Sequence, residues 1–464
     1  MGKNISITKL ILIFTYISIN LLLITFLNNC YYKKDINLLT FISIIQLCIN
    51  IIFLIRLGFE KLSLPILFVV FTYIFHLSQL LLYTFNIKMD NTLMVIDRVD
   101  IDTFLYSCIF TIVSQFLLCL GIGITKVKIK EKITKYRYIN KDIIYKTGLY
   151  VFLLGFLPKV YTDLQKIIVA YSGNYLSTYN VGNNIIIQIL SNCFEFGIYM
   201  ILIGKQDNKR FCRKVFIIVL LYETIIMLSG NRGRAIVYII SLVFLYFKII
   251  EKIKLKTSIN IIILSYLIII FINFISKIRM IELSNLNELV DILMSCINGN
   301  IFFETIAEFG GTLISLAFSF KFYPIFSNYM NGSSYILGIV SVIPNISKII
   351  NGINNKTIFT YNFPESYRFA LGGSYLGELY ANGGTFSIVL CFIIGIGLGV
   401  ISNKIDKCIE EKDWFKLTFY MMLFPNIIWW IRAYFSDVVR TLMWSGLIIY
   451  FIYKLICKDR NLKL

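Results

Sequence analysis

The stretch MLSGNRGRAIVYII (residues 227–240) joins two apolar runs, and the side of a membrane it faces decides how the rest of the chain is read. Gly230, Arg232, Gly233 and Arg234 crowd into five positions between a run from about 215 and a run to about 250. Outward from this point the same alternation repeats: apolar runs of about 20 residues, enough to cross a bilayer as helix, separated by short charged gaps. Over 464 residues the chain is 58% hydrophobic and only 15% charged, with a mean hydropathy of +0.76. A soluble domain cannot hide that much apolar surface, so the expected fold is all-α and polytopic.

Twelve spans are expected, at roughly 8–28, 38–55, 64–87, 103–125, 143–161, 184–204, 215–229, 235–250, 258–276, 385–403, 415–431 and 441–457. The first follows Lys3 and Lys9, has no small-residue cleavage site after it, and reads as a retained helix rather than a signal peptide. With the N-terminus placed inside, 29 of the 45 Lys and Arg fall in inner gaps and 16 in outer ones. The whole formal excess of +19 then sits on the inner side. That is the positive-inside pattern, and it puts both termini in the cytoplasm. KVKIKEKITKYRYINK and KQDNKRFCRK are therefore signals of topology, and no nucleic-acid partner is expected.

This orientation puts 230–234 outside, together with one long segment, 277–384, inside a single transmembrane domain spanning 1–464. The segment holds NIFFETIAEFGGTLISLAFSFKFYP and SSYILGIVSVIP, apolar stretches too short or too interrupted to span. They read as amphipathic or re-entrant helices at the outer surface. Arginine makes up a larger share of the basic residues on that side, 7 of 16 against 5 of 29 inside: Arg98, Arg232, Arg234, Arg279, Arg368, Arg432 and Arg440. A planar fork suits phosphate and carboxylate oxygens better than an ammonium, so the outer face is expected to hold an anion.

The span after 230–234 starts at the outer face, where free N–H groups and the positive end of the helix dipole gather. Gly230 and Gly233 permit close backbone approach, and Arg232 and Arg234 add two forks. The bland alternative is a turn whose arginines snorkel to lipid headgroups. A second stretch, SYRFALGGSYLGELYANGGTFSIVL (366–390), brings Arg368, Ser374, Tyr375, Glu378, Tyr380 and Asn382 among paired glycines. Its polar and aromatic groups suit a sugar; its bland reading is a glycine-rich cap. In FFETIAEFGGT, Glu304 and Glu308 share one helix face, with Arg279, Arg368 or Arg432 as candidate partners against a plainly solvated acidic face. Glu195 and Glu223 lie within apolar spans, where a carboxylate is costly; Glu223 is placed to brace an outer arginine or to hydrogen-bond between helices. His76, the only histidine, reads as structural, and the ten cysteines show no CxxC, so neither zinc nor a disulfide framework is expected.

With its many spans, its SGNRGRA helix start, its one large outer loop and GGSYLGELYANGG closing that loop, the chain resembles Wzy-type oligosaccharide repeat-unit polymerases. The resemblance implies a GT-C-like membrane glycosyltransferase that needs no metal and no cofactor. It implies undecaprenyl-pyrophosphate-linked oligosaccharide as substrate, the lipid bilayer as surroundings, and a flippase and chain-length regulator as partners. The product would be O-antigen or capsular polysaccharide. Arg232, Arg234, Arg279, Arg368 and Arg432, with Gly230 and Gly233, are then candidates for the pyrophosphate. Ser374, Tyr375, Tyr380 and Asn382 are candidates for the sugar. The outer loop has no histidine, so Glu378, Glu304 and Glu308 are the candidate catalytic carboxylates. The alternatives are a lipid-linked oligosaccharide flippase and an O-antigen-ligase-like glycosyltransferase. The absence of matching halves and the single long loop count against the flippase.

Overall fold

The computed structural model describes residues 7–87, 94–126, 140–172, 184–227, 232–251, 266–267, 270–271, 274, 286–298, 301–343, 346–368 and 371–458. These residues are helical with no strand among them. In chain order the helices are α1 (Ile7–Lys33), α2 (Ile36–Arg56), α3 (Leu64–Thr84), α4 (Ile101–Ile124), α5 (Lys141–Ser172), α6 (Ile185–Gly204), α7 (Lys209–Met227) and α8 (Arg232–Ile249). Then come α9 (Leu286–Asn298), α10 (Ile301–Gly310), α11 (Leu313–Phe322), α12 (Ser333–Val340), the single turn α13 (Ile353–Lys356), α14 (Tyr375–Gly383), α15 (Val389–Glu410), α16 (Trp414–Trp430) and α17 (Phe435–Lys458).

Among the described residues, eight helical stretches are long and apolar enough to cross a membrane: Ile7–Lys33, Ile36–Arg56, Leu64–Thr84, Ile101–Ile124, Lys141–Ala170, Ile186–Gly204, Tyr375–Glu410 and Phe435–Leu455. α7, α8 and α16 coincide with three further expected spans but are shorter or carry more charge. Most of the span expected at 258–276 lies outside the described residues. Helix starts follow local chemistry. Asp35 and Asp100 accept the Leu38 and Thr103 N–H groups at the heads of α2 and α4. The Thr103 N–H and hydroxyl hold the Asp100 carboxyl below the usual carboxylate range.

The chain divides into two compact units. Unit one comprises Met1–Lys135, Ile306–Lys407 and Trp430–Arg440; unit two comprises Tyr136–Thr305, Cys408–Trp429 and Thr441–Leu464. In unit one, α1–α4 pack on one another around a buried polar network. Tyr16 donates to Asn50 at 2.7 Å, Gln46 donates to Asn20 at 3.0 Å, and Tyr73 donates to the Gln46 carbonyl at 2.6 Å. Side-chain amides that satisfy one another between apolar helices hold them in register where lipid offers no hydrogen bonds. α11 packs on α3, α4 and α14, and Leu313, Leu316, Phe318 and Phe322 are buried. This part of the long segment is thus interior to its unit, rather than a helix lying on a surface.

In unit two, α5 and α6 pack antiparallel along their length. A Cβ on Gly155 would collide with the Phe194 backbone, and one on Gly197 with the Phe152 backbone. Small residues at these positions let the two backbones touch, the usual source of helix association in lipid. α5 runs to Ser172, beyond the expected end at 161, and accommodates Pro158 in its interior.

Candidate active site

Unit two gathers a set of charges inside its helices. Lys159 on α5 has its Nζ 3.4 Å from Asp163 Oδ2 and 3.7 Å from Glu195 Oε1 on α6. Asp163 is 3% exposed and accepts from the Tyr222 hydroxyl of α7 at 2.8 Å. Glu223, the next residue on α7, is 2% exposed. Lys159 is within electrostatic range of Glu223 and of Arg234, as well as of both its paired carboxylates. Arg234 occupies the first turn of α8 and reaches Thr441 Oγ1 from Nη2 at 3.5 Å. With Lys166 of α5, which lies within electrostatic range of Asp163, Glu195, Lys159 and Arg234, three cations and three carboxylates in apolar helices carry a large desolvation cost, which mutual pairing only partly offsets. Arg234 stands at a helix N-terminus, where an anion is stabilised by both charge and dipole.

The other members of the expected clamp are less fully described. Arg232 opens α8 and Gly233 follows it, half-buried. Gly230, Arg279 and the side chain of Arg232 lie outside the described residues.

In unit one the GGSYLGELYANGG stretch is a buried helix. Ser374 caps α14 by accepting the Gly377 N–H at 3.1 Å, and its Oγ lies 2.9 Å from His76 Nε2. His76 Nδ1 lies 3.3 Å from the Thr72 carbonyl. The self-consistent assignment has Nδ1–H donating to that carbonyl and the Ser374 hydroxyl donating to Nε2. His76 and Ser374 are both fully buried, and so is Tyr375, whose hydroxyl accepts from Gln115 at 2.9 Å. Tyr380 is 7% exposed, with its ring 4.0 Å from that of Phe320. Asn382 donates to the Glu378 carbonyl at 2.7 Å and to Ser334 Oγ at 2.8 Å, and accepts the Gly332 N–H at 2.9 Å. All four residues expected at a sugar are therefore packed and bonded within the protein.

Glu378 is fully buried. Its Oε1 accepts from Ser334 Oγ at 2.8 Å and its Oε2 from the Phe435 N–H at 3.0 Å. Phe435 is the first residue of α17, so the carboxylate caps that helix from another element. Burial pushes the phenol of nearby Tyr335 well above its ordinary value, and the Glu378 charge adds to this. Glu304 is half-buried and Glu308 exposed on α10, which ends at Gly310 as expected. Gly310 also lets α10 press against Ser78 and Gln79 of α3.

Arg368 donates from Nε to the Phe363 carbonyl at 2.6 Å and lies over the Tyr361 ring at 4.6 Å. Arg432 lies over the Phe75 ring at 5.5 Å. Gly373 sits directly on the Ala433–Tyr434 backbone, where a Cβ would collide, so the glycine pair sets the approach of this loop to the turn that carries Arg432.

A family model described as O-antigen polysaccharide polymerase Wzy matches residues 7–463, nearly the whole chain. The chain belongs to that family. No curated protein and no solved structure matches it. A Wzy polymerase is a glycosyltransferase-type enzyme that acts on lipid-linked oligosaccharide in a membrane, and the apolar helices fit a multi-pass membrane protein. Against that role, sequence reasoning missed Lys159 and Asp163. The signal was present as a lysine and an aspartate four apart just after Pro158, at the edge of an expected span. It also missed that His76 anchors Ser374, because 298 positions separate them.

Proposed function

We propose that this chain joins undecaprenyl-pyrophosphate-linked repeat units into O-antigen or capsular polysaccharide at the outer face of the bacterial cell membrane. In this reading twelve spans in a GT-C-like arrangement leave both termini in the cytoplasm and the 277–384 segment outside. The growing glycan leaves its pyrophosphate carrier and moves to a hydroxyl of a new lipid-linked unit. The leaving pyrophosphate gains negative charge as the anomeric bond breaks. Arg234 and Arg232 at the head of α8 neutralise it, with Arg279, Arg368 and Arg432 as further candidates. No metal and no cofactor takes part, so chelation with EDTA leaves polymer formation unchanged.

The observation that carries the reading is Arg234 in the first turn of α8, within electrostatic range of Lys159 amid buried carboxylates. Cationic side chains and a helix N-terminus converge where a lipid-borne anion would meet the protein. The sugar-contact role of Ser374, Tyr375, Tyr380 and Asn382 requires α14 to open, since each is buried. Glu308 is exposed and Glu304 half-buried, so both remain accessible carboxylates for the acceptor.

Intramembrane charge also suits a transporter, so a lipid-linked oligosaccharide flippase is the second reading. One experiment separates the two. In cells carrying Arg234→Ala or Arg232→Ala, single lipid-linked units accumulate on the outer face if the chain is the polymerase. Accumulation on the cytoplasmic face favours the flippase. Unchanged long glycan in both variants rejects the clamp.

A further inference from the structure

Glu223 sits on α7 four residues before the helix ends at Met227, about 6 Å of helix rise below that end. It is 2% exposed, and its Oε1 is buried without a hydrogen-bond partner among the described residues. The charged groups around it come from three other helices: Lys159 and Asp163 of α5, Glu195 of α6 and Arg234 of α8. The phenols of Tyr199 and Tyr238 are also within electrostatic range. Each neighbouring acid is engaged: Asp163 with Tyr222 and Lys159, Glu195 with Lys159. A purely structural cluster closes on itself in this way, because an unmatched buried oxygen costs the full desolvation of that group. Among the described residues the Glu223 oxygen stays unmatched, with Lys159 and Arg234 among the charges within electrostatic range.

We propose that Glu223 accepts the proton of the acceptor hydroxyl during glycosyl transfer. This rests on the reading that the chain is a lipid-linked repeat-unit polymerase with its leaving pyrophosphate at Arg234. The acceptor oxygen bonds to the anomeric carbon of the donor glycan. The bond from that carbon to the pyrophosphate oxygen breaks, and its electron pair stays with the pyrophosphate. Because Glu223 is buried, this end of α7 must open to the acceptor hydroxyl; its proton then goes to Glu223 Oε1, leaving a neutral carboxyl that returns the proton to water after product leaves. Donor charge at Arg234 and acceptor proton at Glu223 are thereby handled in one cluster of one unit.

The test uses purified full-length protein in lipid nanodiscs with lipid-linked repeat units as the substrate. Glu223→Gln keeps the shape and removes the base. It is expected to bind the lipid-linked unit within about threefold of the parent, to lose turnover on the order of 10²–10⁴-fold, and to lose the acidic limb of the pH–rate profile. Glu223→Asp is expected to recover part of the rate together with that limb. Turnover of Glu223→Gln within twofold of the parent overturns the proposal. If Glu223→Gln folds less well, Glu223→Asp decides: at matched folded amounts, an aspartate variant no faster than the glutamine variant also overturns it. Arg234→Ala, run in parallel, reports on the clamp separately. Weakened binding there with unaffected Glu223→Gln turnover rejects Glu223 and retains the clamp. An unaffected Arg234→Ala with an inactive Glu223→Gln supports Glu223 and rejects the clamp.

Discussion

Glutamine and alanine at position 378 separate a carboxylate that holds helices together from one that takes a proton. In the parent, Glu378 accepts from Ser334 at 2.8 Å and from the Phe435 N–H at 3.0 Å, and it is fully buried. Glutamine keeps one oxygen for the Phe435 N–H. Its amide NH2 then faces Ser334, whose hydroxyl already accepts from Asn382, and the serine hydrogen loses its acceptor. One bond is exchanged for a poorer arrangement, at a cost of about 1–2 kcal/mol. Alanine strands both the N–H at the head of α17 and the Ser334 hydroxyl. Two unmatched buried groups at about 1–3 kcal/mol each, plus about 0.3–1 for the lost anion at a helix N-terminus, total about 2–7 kcal/mol. The measurement pairs thermal unfolding of the purified protein with polymer formed per folded molecule. The expected result is a glutamine variant that polymerises near the parental rate per folded molecule and an alanine variant that unfolds early or is not recovered. An alanine variant within about 0.5 kcal/mol of the parent refutes the capping argument. A glutamine variant that folds like the parent but loses turnover on the order of 10²-fold returns Glu378 to the role of proton acceptor.

Lys159→Met is expected to cost about 3–5 kcal/mol, because it leaves Asp163 and Glu195 without their shared cation. Adding Asp163→Asn should restore part of that loss, and resistance to proteolysis of the reconstituted protein measures both effects. Gly155→Leu is expected to abolish monodisperse protein on size-exclusion chromatography, since even a Cβ at that site meets the Phe194 backbone. A monodisperse, active leucine variant would show that α5 and α6 need not touch there. Ser374→Ala is expected to destabilise by about 2–4 kcal/mol: about 1 for the lost cap of α14 and about 1–3 for the stranded His76 nitrogen. Its unfolding temperature, measured beside that of the parent, reads this directly.

The membrane helices were legible because hydropathy reports the solvent of each segment, and apolar length is a physical requirement for crossing lipid. The boundaries of α1, α2, α4 and α6 fall within a few residues of the expected spans for that reason. α5 did not end where its apolarity did. Its helix continues through Tyr161, Asp163 and Lys166 because backbone hydrogen bonds persist after the side chains turn polar. The burial of the 366–390 stretch was not legible in its residues. Its glycines and polar groups read as a sugar site or a glycine-rich cap, and α14 is buried, because His76, Gln115, Ser334 and Phe435 supply its partners from distant parts of the chain.

The sequence by itself determined a membrane-embedded, all-helical chain, the resemblance to Wzy polymerases, and the arginine-bearing start of α8 as a candidate anion site. The first and last follow from composition, period and charge, which are local or summed properties; the resemblance rests on the span count, two short motifs and the one long loop. Tertiary structure decided which polar groups face one another. It engages both oxygens of Glu378 at the head of α17, ties His76 to Ser374, and surrounds Glu223 with Lys159, Asp163, Glu195 and Arg234 while leaving one oxygen unmatched among the described residues. A buried carboxylate acts as a cap or stands ready for a ligand according to whether its last lone pair finds a donor, and that depends on distances between helices rather than on residue order.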